Sequence, residues 1–283
     1  MDDLSFFAYD LGMSLDRYID DCLSRGRAYF SREEASTALG LKPDSLSASI
    51  TRLIKRGRLA NPRHGFYLIL RPEDRNTGAP DPAKWIDPLM KHQGIDYRIS
   101  LLQAAAFHGS SHQAAMVFQV VVPTQLRDFE IGRHRLQFLY QSPEVFALTN
   151  KSDYLQALKT DAGYAKLAGL EVTLLDSVRY FHKVGGINAV AQIVKDIGGK
   201  ADPRLLGRFR SVYENTSLRR LGYLLDFFGH QRQAKALEPC LAKVKTAVPL
   251  DPSSKPLLPA LAKEWPRESK WKLLLNVPVE IDS

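Results

Sequence analysis

The N-terminal quarter of the chain carries apolar side chains first at helical and then at strand spacing. Five of them recur at three- and four-residue intervals and share one helical face: Leu15, Tyr18, Ile19, Cys22 and Leu23. A second helix is predicted from Ser31, which can form a capping box with Glu34, to Gly40. Asp44 is predicted to cap a third helix. The inward-facing residues of this helix are Leu46, Ile50, Leu53 and Ile54.

Two short strands are predicted after the third helix. Residues 58–61 and 66–70 have strand composition, and residues 62–65 between them are typical of a turn. Helix, helix, turn, helix and hairpin in this order predict a winged helix-turn-helix domain over residues 15–71. Residues 1–14 precede it as an N-terminal extension, to which the pattern assigns no role.

The rest of the chain predicts a second, larger domain, so that the whole is an α+β protein. Residues 72–83 are polar, contain three prolines and are predicted to be a linker. Residues 84–283 alternate between helical and strand patterns, which predicts a mixed α/β domain. The glycine pairs at 185–186 and 198–199 are expected to cap a helix between them. Further helices are expected at 101–108 and through most of 152–246, and strands at 116–122, 128–131, 136–140 and 271–277.

Composition is typical of a soluble globular protein with an excess of basic residues. Hydrophobic residues make up 45% of the chain and charged residues 25%. The net charge of +8 lies in residues 84–283, since residues 1–83 hold 12 basic and 12 acidic side chains. This balance favours anionic partners, nucleic acid first, although a solvated surface explains it equally well. Two cysteines, no recognisable signal peptide and no span long enough for a bilayer favour a cytoplasmic protein.

The third predicted helix has the chemistry of a DNA-recognition element. Residues 45–72 hold six Arg or Lys and no Asp or Glu. Polar side chains near the N-terminus of such a helix can reach base edges in the major groove. The expected base-reading residues are Ser45, Ser47, Ala48, Thr51 and Arg52. The expected phosphate contacts are Lys55, Arg56 and Arg58, with Arg63 and His64 at the wing tip on phosphate or in a minor groove. The alternatives are a solvated basic face and a protein-binding winged helix.

Two pairs of residues resemble catalytic or metal-binding patterns without completing them. A Gly-Ser turn at 109–110 followed by Asp128 and Glu130 is similar to a nucleotidyltransferase magnesium motif. However, the gap of 17 residues is too long, and the edge of a hairpin explains both acids. His108 and His112 have metalloprotease spacing, but no Glu follows His108. We therefore expect no enzymatic activity, no cofactor and no metal.

Short motifs along the chain carry a family resemblance. The predicted wing contains GRL at 57–59 and GFY at 65–67, and AAAFHG follows at 104–109. The C-terminal part contains three further motifs: TLLD at 173–176, RLGYLLD at 220–226 and WKLLLN at 271–276. In this order, the motifs resemble those of the antitoxins of AbiE-type, type IV toxin–antitoxin systems.

The resemblance implies a bifunctional protein without catalytic residues. Family members bind inverted repeats in their own promoter through the winged helix and repress the operon. Their C-terminal domain counters a cognate nucleotidyltransferase-like toxin encoded next door, and neutralisation is generally not attributed to a stable complex. The candidate antitoxic or anion-binding surface is an arginine cluster: Arg204, Arg208, Arg210 and Arg219. The alternative interpretation of this cluster is a solvated helical face. Arg220 either joins this cluster or pairs with an acid such as Asp226.

Two other functions compete with an autorepressing antitoxin. A stand-alone winged-helix regulator would use its C-terminal domain to sense a ligand, and no toxin gene would lie beside it. An enzyme that uses the winged helix to reach nucleic acid would lose its function when Asp128 and Glu130 are replaced together.

Overall fold

The computed structural model describes residues 13–110, 117–160, 163–254 and 264–281. Most of the predicted N-terminal extension, and His112 of the histidine pair, lie outside these ranges. Within them the chain forms twelve α-helices and three β-sheets. None of the described helices is both long and apolar enough to cross a bilayer.

The N-terminal part contains the three helices and the hairpin predicted for residues 15–71, and one further strand. Its elements are α1 (Leu15–Ser24), β1 (Tyr29–Ser31), α2 (Arg32–Leu39), α3 (Pro43–Lys55), β2 (Leu59–Arg63) and β3 (Phe66–Ile69). The unpredicted strand β1 pairs with β3, so β3 lies in the middle of an antiparallel sheet of order β1-β3-β2. Apolar residues of the helices pack with this sheet into a core of their own, which we call the N-terminal core.

Local sequence determines where these helices begin and end. Glu34 N donates to Ser31 Oγ at 3.1 Å and Ser31 N donates to the Glu34 carboxylate at 2.7 Å, which confirms the capping box. The prediction that Asp44 caps α3 is wrong. The helix begins at Pro43, two residues earlier than a cap at Asp44 implies, because proline fits the first helical turn, where its missing N–H has no partner to lose. Ile54 is also misplaced: it is 39% exposed and not part of the buried stripe.

Residues 72–83 form an ordered connection rather than an open spacer. They contain two short 3-10 helices, Pro72–Asp74 and Pro82–Lys84. Ala79 between them is fully buried in the core of the C-terminal part. Gly78 packs with its backbone on Gly132, since a Cβ on Gly78 would lie 2.7 Å from the Gly132 Cα. The segment predicted to be a linker is therefore ordered, because its small residues allow close backbone packing.

A six-stranded mixed sheet forms the centre of the C-terminal part. Its strands are β4 (Arg98–Ile99), β5 (Val117–Val122), β6 (Phe129–Ile131), β7 (His134–Tyr140), β8 (Leu155–Thr160) and β9 (Gly163–Ala168). They lie in the order β6-β7-β5-β4-β9-β8, with β5 parallel to β7 and β4 parallel to β9. The hairpin predicted around Gly132 is confirmed as β6–β7. The expectation of helix is wrong for the hairpin β8–β9, whose largely exposed residues give little periodic signal.

Nine α-helices accompany this sheet in the described chain. They are α4 (Ile86–His92), α5 (Leu101–His108), α6 (Pro143–Thr149), α7 (Leu170–Arg179), α8 (Phe181–Val184), α9 (Ile187–Ile197), α10 (Pro203–Arg208), α11 (Asn215–Phe227) and α12 (Gln231–Leu237). Helix α7 is central to this layer and contacts α5, α9 and α11. Helix α9 fills the interval between the two glycine pairs, as predicted.

A small three-stranded sheet follows the helices. Its strands are β10 (Val248–Pro249), β11 (Arg267–Glu268) and β12 (Leu273–Leu274), in the order β10-β12-β11. The strand predicted over 271–277 is confirmed only at 273–274, because Trp271 at its start is buried in the main core instead of pairing.

Candidate nucleic-acid interface and the C-terminal motifs

The outer face of α3 is exposed because its inner face packs on the N-terminal core. Leu46, Ile50 and Leu53 are each at most 3% exposed and belong to this core. Ser47 is half-buried. The residues that are predicted to contact DNA and are exposed are Ser45, Ala48, Thr51, Arg52, Lys55, Arg56 and His64. The structure thus brings most of the predicted interface to one helix, with His64 on the wing.

Two hydroxyls of α3 have partners within the protein, whereas its basic side chains have no acid partner among the residues that the structure describes. Ser47 Oγ accepts a hydrogen bond from Arg32 at 2.5 Å, and Thr51 Oγ1 donates to the Ser47 carbonyl at 2.9 Å. In the described part of the chain, three basic residues have no acid within ion-pair distance: Arg52, Lys55 and Arg56. Helix α3 and its C-terminal cap residue Arg56 therefore present three exposed cations that have no acid partner in the described ranges.

Arg58 and Arg63, both predicted to contact DNA, are engaged within the protein. Arg58 lies 3.1 Å from Asp20 and 3.8 Å from Asp16, both on α1. The Arg63 guanidinium lies 4.3 Å from the centre of the Phe129 ring, in the C-terminal part. Burial lowers the pKa of Arg63. Two acids therefore pair with Arg58 and an aromatic ring covers Arg63, while their contacts with DNA stay predictions.

A groove between α10 and α12 is lined by four exposed basic side chains. We call it the basic groove, and its residues are Arg204, Arg208, Arg210 and Lys235. Arg232 lines an adjoining depression together with two of them. No acid lies within ion-pair distance of these five side chains in the described part of the chain. The sequence pattern does not reveal Lys235 and Arg232 as members of this surface, because only folding brings α12 beside α10.

Arg219 does not belong to this surface. It is 3% exposed, and its Nε donates to the Trp271 carbonyl at 2.8 Å. Arg220 similarly donates from its Nε to the Leu250 carbonyl at 3.0 Å and does not pair with Asp226. Burial lowers the pKa of both guanidinium groups. The prediction of Arg219 as an anion-binding residue is wrong, because its donors hold the backbone around the small C-terminal sheet.

The RLGYLLD and WKLLLN motifs pack directly on each other. The Trp271 side chain is buried, and its Nε1 donates to Asp226 Oδ2 at 2.7 Å. Lys270 Nζ lies 2.6 Å from the same oxygen. Gly222 lies beneath the indole, where a Cβ would be 2.1 Å from the Trp271 ring. The spacing of these motifs therefore reflects one structural contact between α11 and the C-terminal segment.

The TLLD motif ends in an acid that is completely buried. Arg98 donates to both oxygens of Asp176 at 3.0 Å, from Nε and from one terminal nitrogen. Ser100 Oγ and the Tyr213 hydroxyl each donate to Asp176 at 2.8 Å. Burial raises the pKa of Tyr213 well above its usual value. Both members of the ion pair are 0% exposed, so this network has a structural role.

The residues that resemble catalytic patterns have structural contacts. Asp128 Oδ1 accepts a hydrogen bond from Phe138 N at 2.8 Å, across the β6–β7 hairpin. Glu130 is exposed on the edge strand β6, as the hairpin interpretation predicts. His108 ends α5, and its Nε2 lies 2.9 Å from the Ala168 carbonyl oxygen. The described ranges contain no group of three or more His, Cys, Asp or Glu placed to hold a metal ion.

Comparison with known proteins identifies the C-terminal part. Residues 98–227 match the family model of the AbiEi antitoxin C-terminal domain. A search of curated proteins gives no match. The crystal structure of the RV2827C protein from Mycobacterium tuberculosis is similar in fold, with a TM-score of 0.63 over 94% of this chain and 93% of that one, at 16% sequence identity. By this match, which includes the TLLD and RLGYLLD motifs, residues 98–227 are identified as an AbiEi antitoxin C-terminal domain.

Proposed function

We propose that this antitoxin represses its own operon by binding promoter DNA through α3, and counters a nucleotidyltransferase-like toxin through its C-terminal domain. The observation that supports DNA binding most directly is the set of unpaired cations on α3. By contrast, several basic side chains of the described chain lie beside acids, as Lys166 lies 2.5 Å from Asp96. Cations that are left without acids on the outer face of a packed helix are placed to neutralise phosphates.

The residues of α3 divide into two roles in this proposal. Arg52 makes a bidentate contact to guanine. Ser45 and Thr51 lie closer to the base edges than the residues of the wing do. Lys55 and Arg56 contact phosphates and set affinity and orientation. Two phosphate contacts per protomer give a slope of log affinity against log salt of about −1.8.

The test of DNA binding is fluorescence anisotropy on a promoter fragment and on a scrambled fragment of the same length. Arg52→Ala is expected to cost about 1–3 kcal/mol on the promoter and less on the scrambled DNA. The pair Lys55→Ala and Arg56→Ala should weaken binding to both and bring the salt slope close to zero. The matched control removes two exposed charges elsewhere, at Lys151 and Lys245. Equal losses in the control and in the α3 pair would overturn the assignment of α3.

For the antitoxic activity, we propose the basic groove as an anion-binding surface. Arg204 and Arg208 lie one helical turn apart on α10, so their Cβ atoms are about 5–6 Å apart on one face. Arg210 and Lys235 complete the groove from the next turn and from α12. These five basic side chains outnumber Asp202, the one acid of the described residues that lines the adjoining depression, and an anionic partner reduces their mutual repulsion. The partner is either the toxin or the nucleic acid on which it acts.

Charge reversal tests this surface. Arg204→Glu, Arg208→Glu and Arg210→Glu together should abolish growth rescue in cells that produce the toxin encoded beside this gene. The protein would be expressed from an unrelated promoter. Promoter binding by the same variant should persist, because α3 is untouched. Reversal of Lys151, Lys159 and Lys245 is the matched control and should leave rescue intact. Unchanged rescue by the groove variant would show that the groove is a solvated surface and takes no part in neutralisation.

A further inference from the structure

The strand β3 of the wing lies between two hydrophobic cores. Its residues Phe66, Tyr67, Leu68 and Ile69 are all buried, and successive residues of a strand point to opposite faces. Tyr67 and Ile69 belong to the N-terminal core. Phe66 and Leu68 belong to the core of the C-terminal part. Strand β3 therefore links the two cores.

The tip of the wing is held on the β6–β7 hairpin by a cation–π contact. The Arg63 guanidinium lies 4.3 Å from the centre of the Phe129 ring and 5.8 Å from that of Phe138. Arg63 also donates a hydrogen bond to the Arg127 carbonyl. We call these contacts of Arg63 the wing anchor. Phe129 and Phe138 stack on each other with their centres 5.9 Å apart, so the anchor rests on a packed aromatic pair.

The same hairpin receives the segment that follows the wing. Arg133 N donates to the Thr77 carbonyl at 2.7 Å, and His134 Nε2 lies 3.1 Å from the Ala79 carbonyl oxygen. At the wing turn itself, His92 Nε2 of helix α4 lies 3.3 Å from the His64 carbonyl oxygen. The wing is therefore contacted by the C-terminal part at its tip, along one face of β3 and where the chain leaves it.

We propose that Arg63 is a positioning residue, which holds the wing on the β6–β7 hairpin and so fixes the orientation of α3 relative to the C-terminal domain. Its effect on DNA affinity rests on the proposed function. Helix α3 and strand β3 pack in the same N-terminal core. A contact that fixes the wing relative to the C-terminal part therefore also fixes the orientation of α3. Two recognition helices on inverted repeats must enter major grooves at a set spacing. A loosened wing widens the range of orientations and weakens binding, without changing the number of phosphates contacted.

The salt dependence separates a positioning residue from a phosphate contact. Arg63→Ala should lower promoter affinity about five- to tenfold, as expected for the loss of one cation–π contact, with an unchanged salt slope. Phe129→Leu should cause a similar loss, and the double variant should be little worse than either single variant. Arg63→Lys should recover part of the loss. A slope that falls by about 0.9 in Arg63→Ala, with no effect of Phe129→Leu, would overturn the proposal.

Hydrogen exchange tests the anchor without DNA. In the full chain, the backbone amides of β2 and β3 should exchange about tenfold faster in Arg63→Ala and in Phe129→Leu than in the unchanged protein. Arg75→Ala, which removes an exposed arginine from the same region, is the matched control and should leave the exchange unchanged. Unchanged exchange in both anchor variants would overturn the anchor even if promoter DNA is bound. Faster exchange in a protein that binds no promoter DNA would support the anchor and contradict the proposed function.

Discussion

Replacing Gly222 with alanine tests whether the RLGYLLD and WKLLLN motifs form one structural contact. A Cβ at this position would lie 2.1, 2.2 and 2.6 Å from three atoms of the Trp271 ring, distances at which the ring must move. The ring is 1% exposed, and its Nε1 donates to Asp226 at 2.7 Å. Movement of the ring therefore breaks this hydrogen bond and exposes the indole to water.

The size of the effect follows from two opposing contributions. Loss of a buried tryptophan side chain from a core costs about 3–5 kcal/mol. Alanine in a helix is more stable than glycine by about 1 kcal/mol. The free energy of unfolding should therefore fall by about 2–4 kcal/mol, a large part of the stability of an ordinary domain.

Urea unfolding followed by circular dichroism measures this difference. Gly207→Ala is the matched control, because it makes the same change in α10, where the nearest atom would be 3.9 Å from the new Cβ. This control should be neutral or stabilising by up to about 1 kcal/mol. If Gly222→Ala unfolds at the same urea concentration as the unchanged protein, the contact between the two motifs does not stabilise the fold.

Three further predictions concern stability. Asp176→Ala leaves the buried charge of Arg98 without its partner and should cost about 3–5 kcal/mol in urea unfolding; a cost below about 1 kcal/mol would contradict the role of the pair. Burial lowers the pKa of His108. Its contribution to stability should therefore be complete above about pH 6.5 and be lost as the pH falls through the lowered folded pKa, and His108→Gln should flatten this loss. The fragment 13–71 exposes Phe66 and Leu68 and should be less stable than the same residues in the full chain; equal protection from hydrogen exchange would contradict this.

The elements that sequence predicted correctly have local signals. The capping box at Ser31 and the left-handed Gly40 after α2 need only residues of the same turn. The glycine pairs that bound α9 are equally local. Strand β1 was missed because three residues give no periodicity, and its identity as a strand depends on pairing with β3. The hairpin β8–β9 was missed because much of it is exposed.

The predicted site depended on charge density, which cannot distinguish a free cation from a paired one. Arg58 donates a hydrogen bond to Asp20, which lies 38 positions away in the sequence. Arg63 donates one to the Arg127 carbonyl, 64 positions away. Arg219 bonds to the Trp271 carbonyl across 52 positions. The cations of α3 were placed correctly on an exposed face, because the apolar stripe of the helix alone determines which side faces the core. Only the fold shows which of the remaining arginines are engaged.

Growth of cells that produce the toxin proposed to be encoded beside this gene most directly tests whether DNA binding and neutralisation use separate surfaces. The antitoxin would carry Arg52→Ala, Lys55→Ala and Arg56→Ala together and be expressed from an unrelated promoter. We expect this variant to restore growth to the level of the unchanged antitoxin, although it no longer binds promoter DNA. Failure to restore growth, by a variant that unfolds at the same urea concentration as the unchanged protein, would show that α3 takes part in neutralisation and contradict the proposed division.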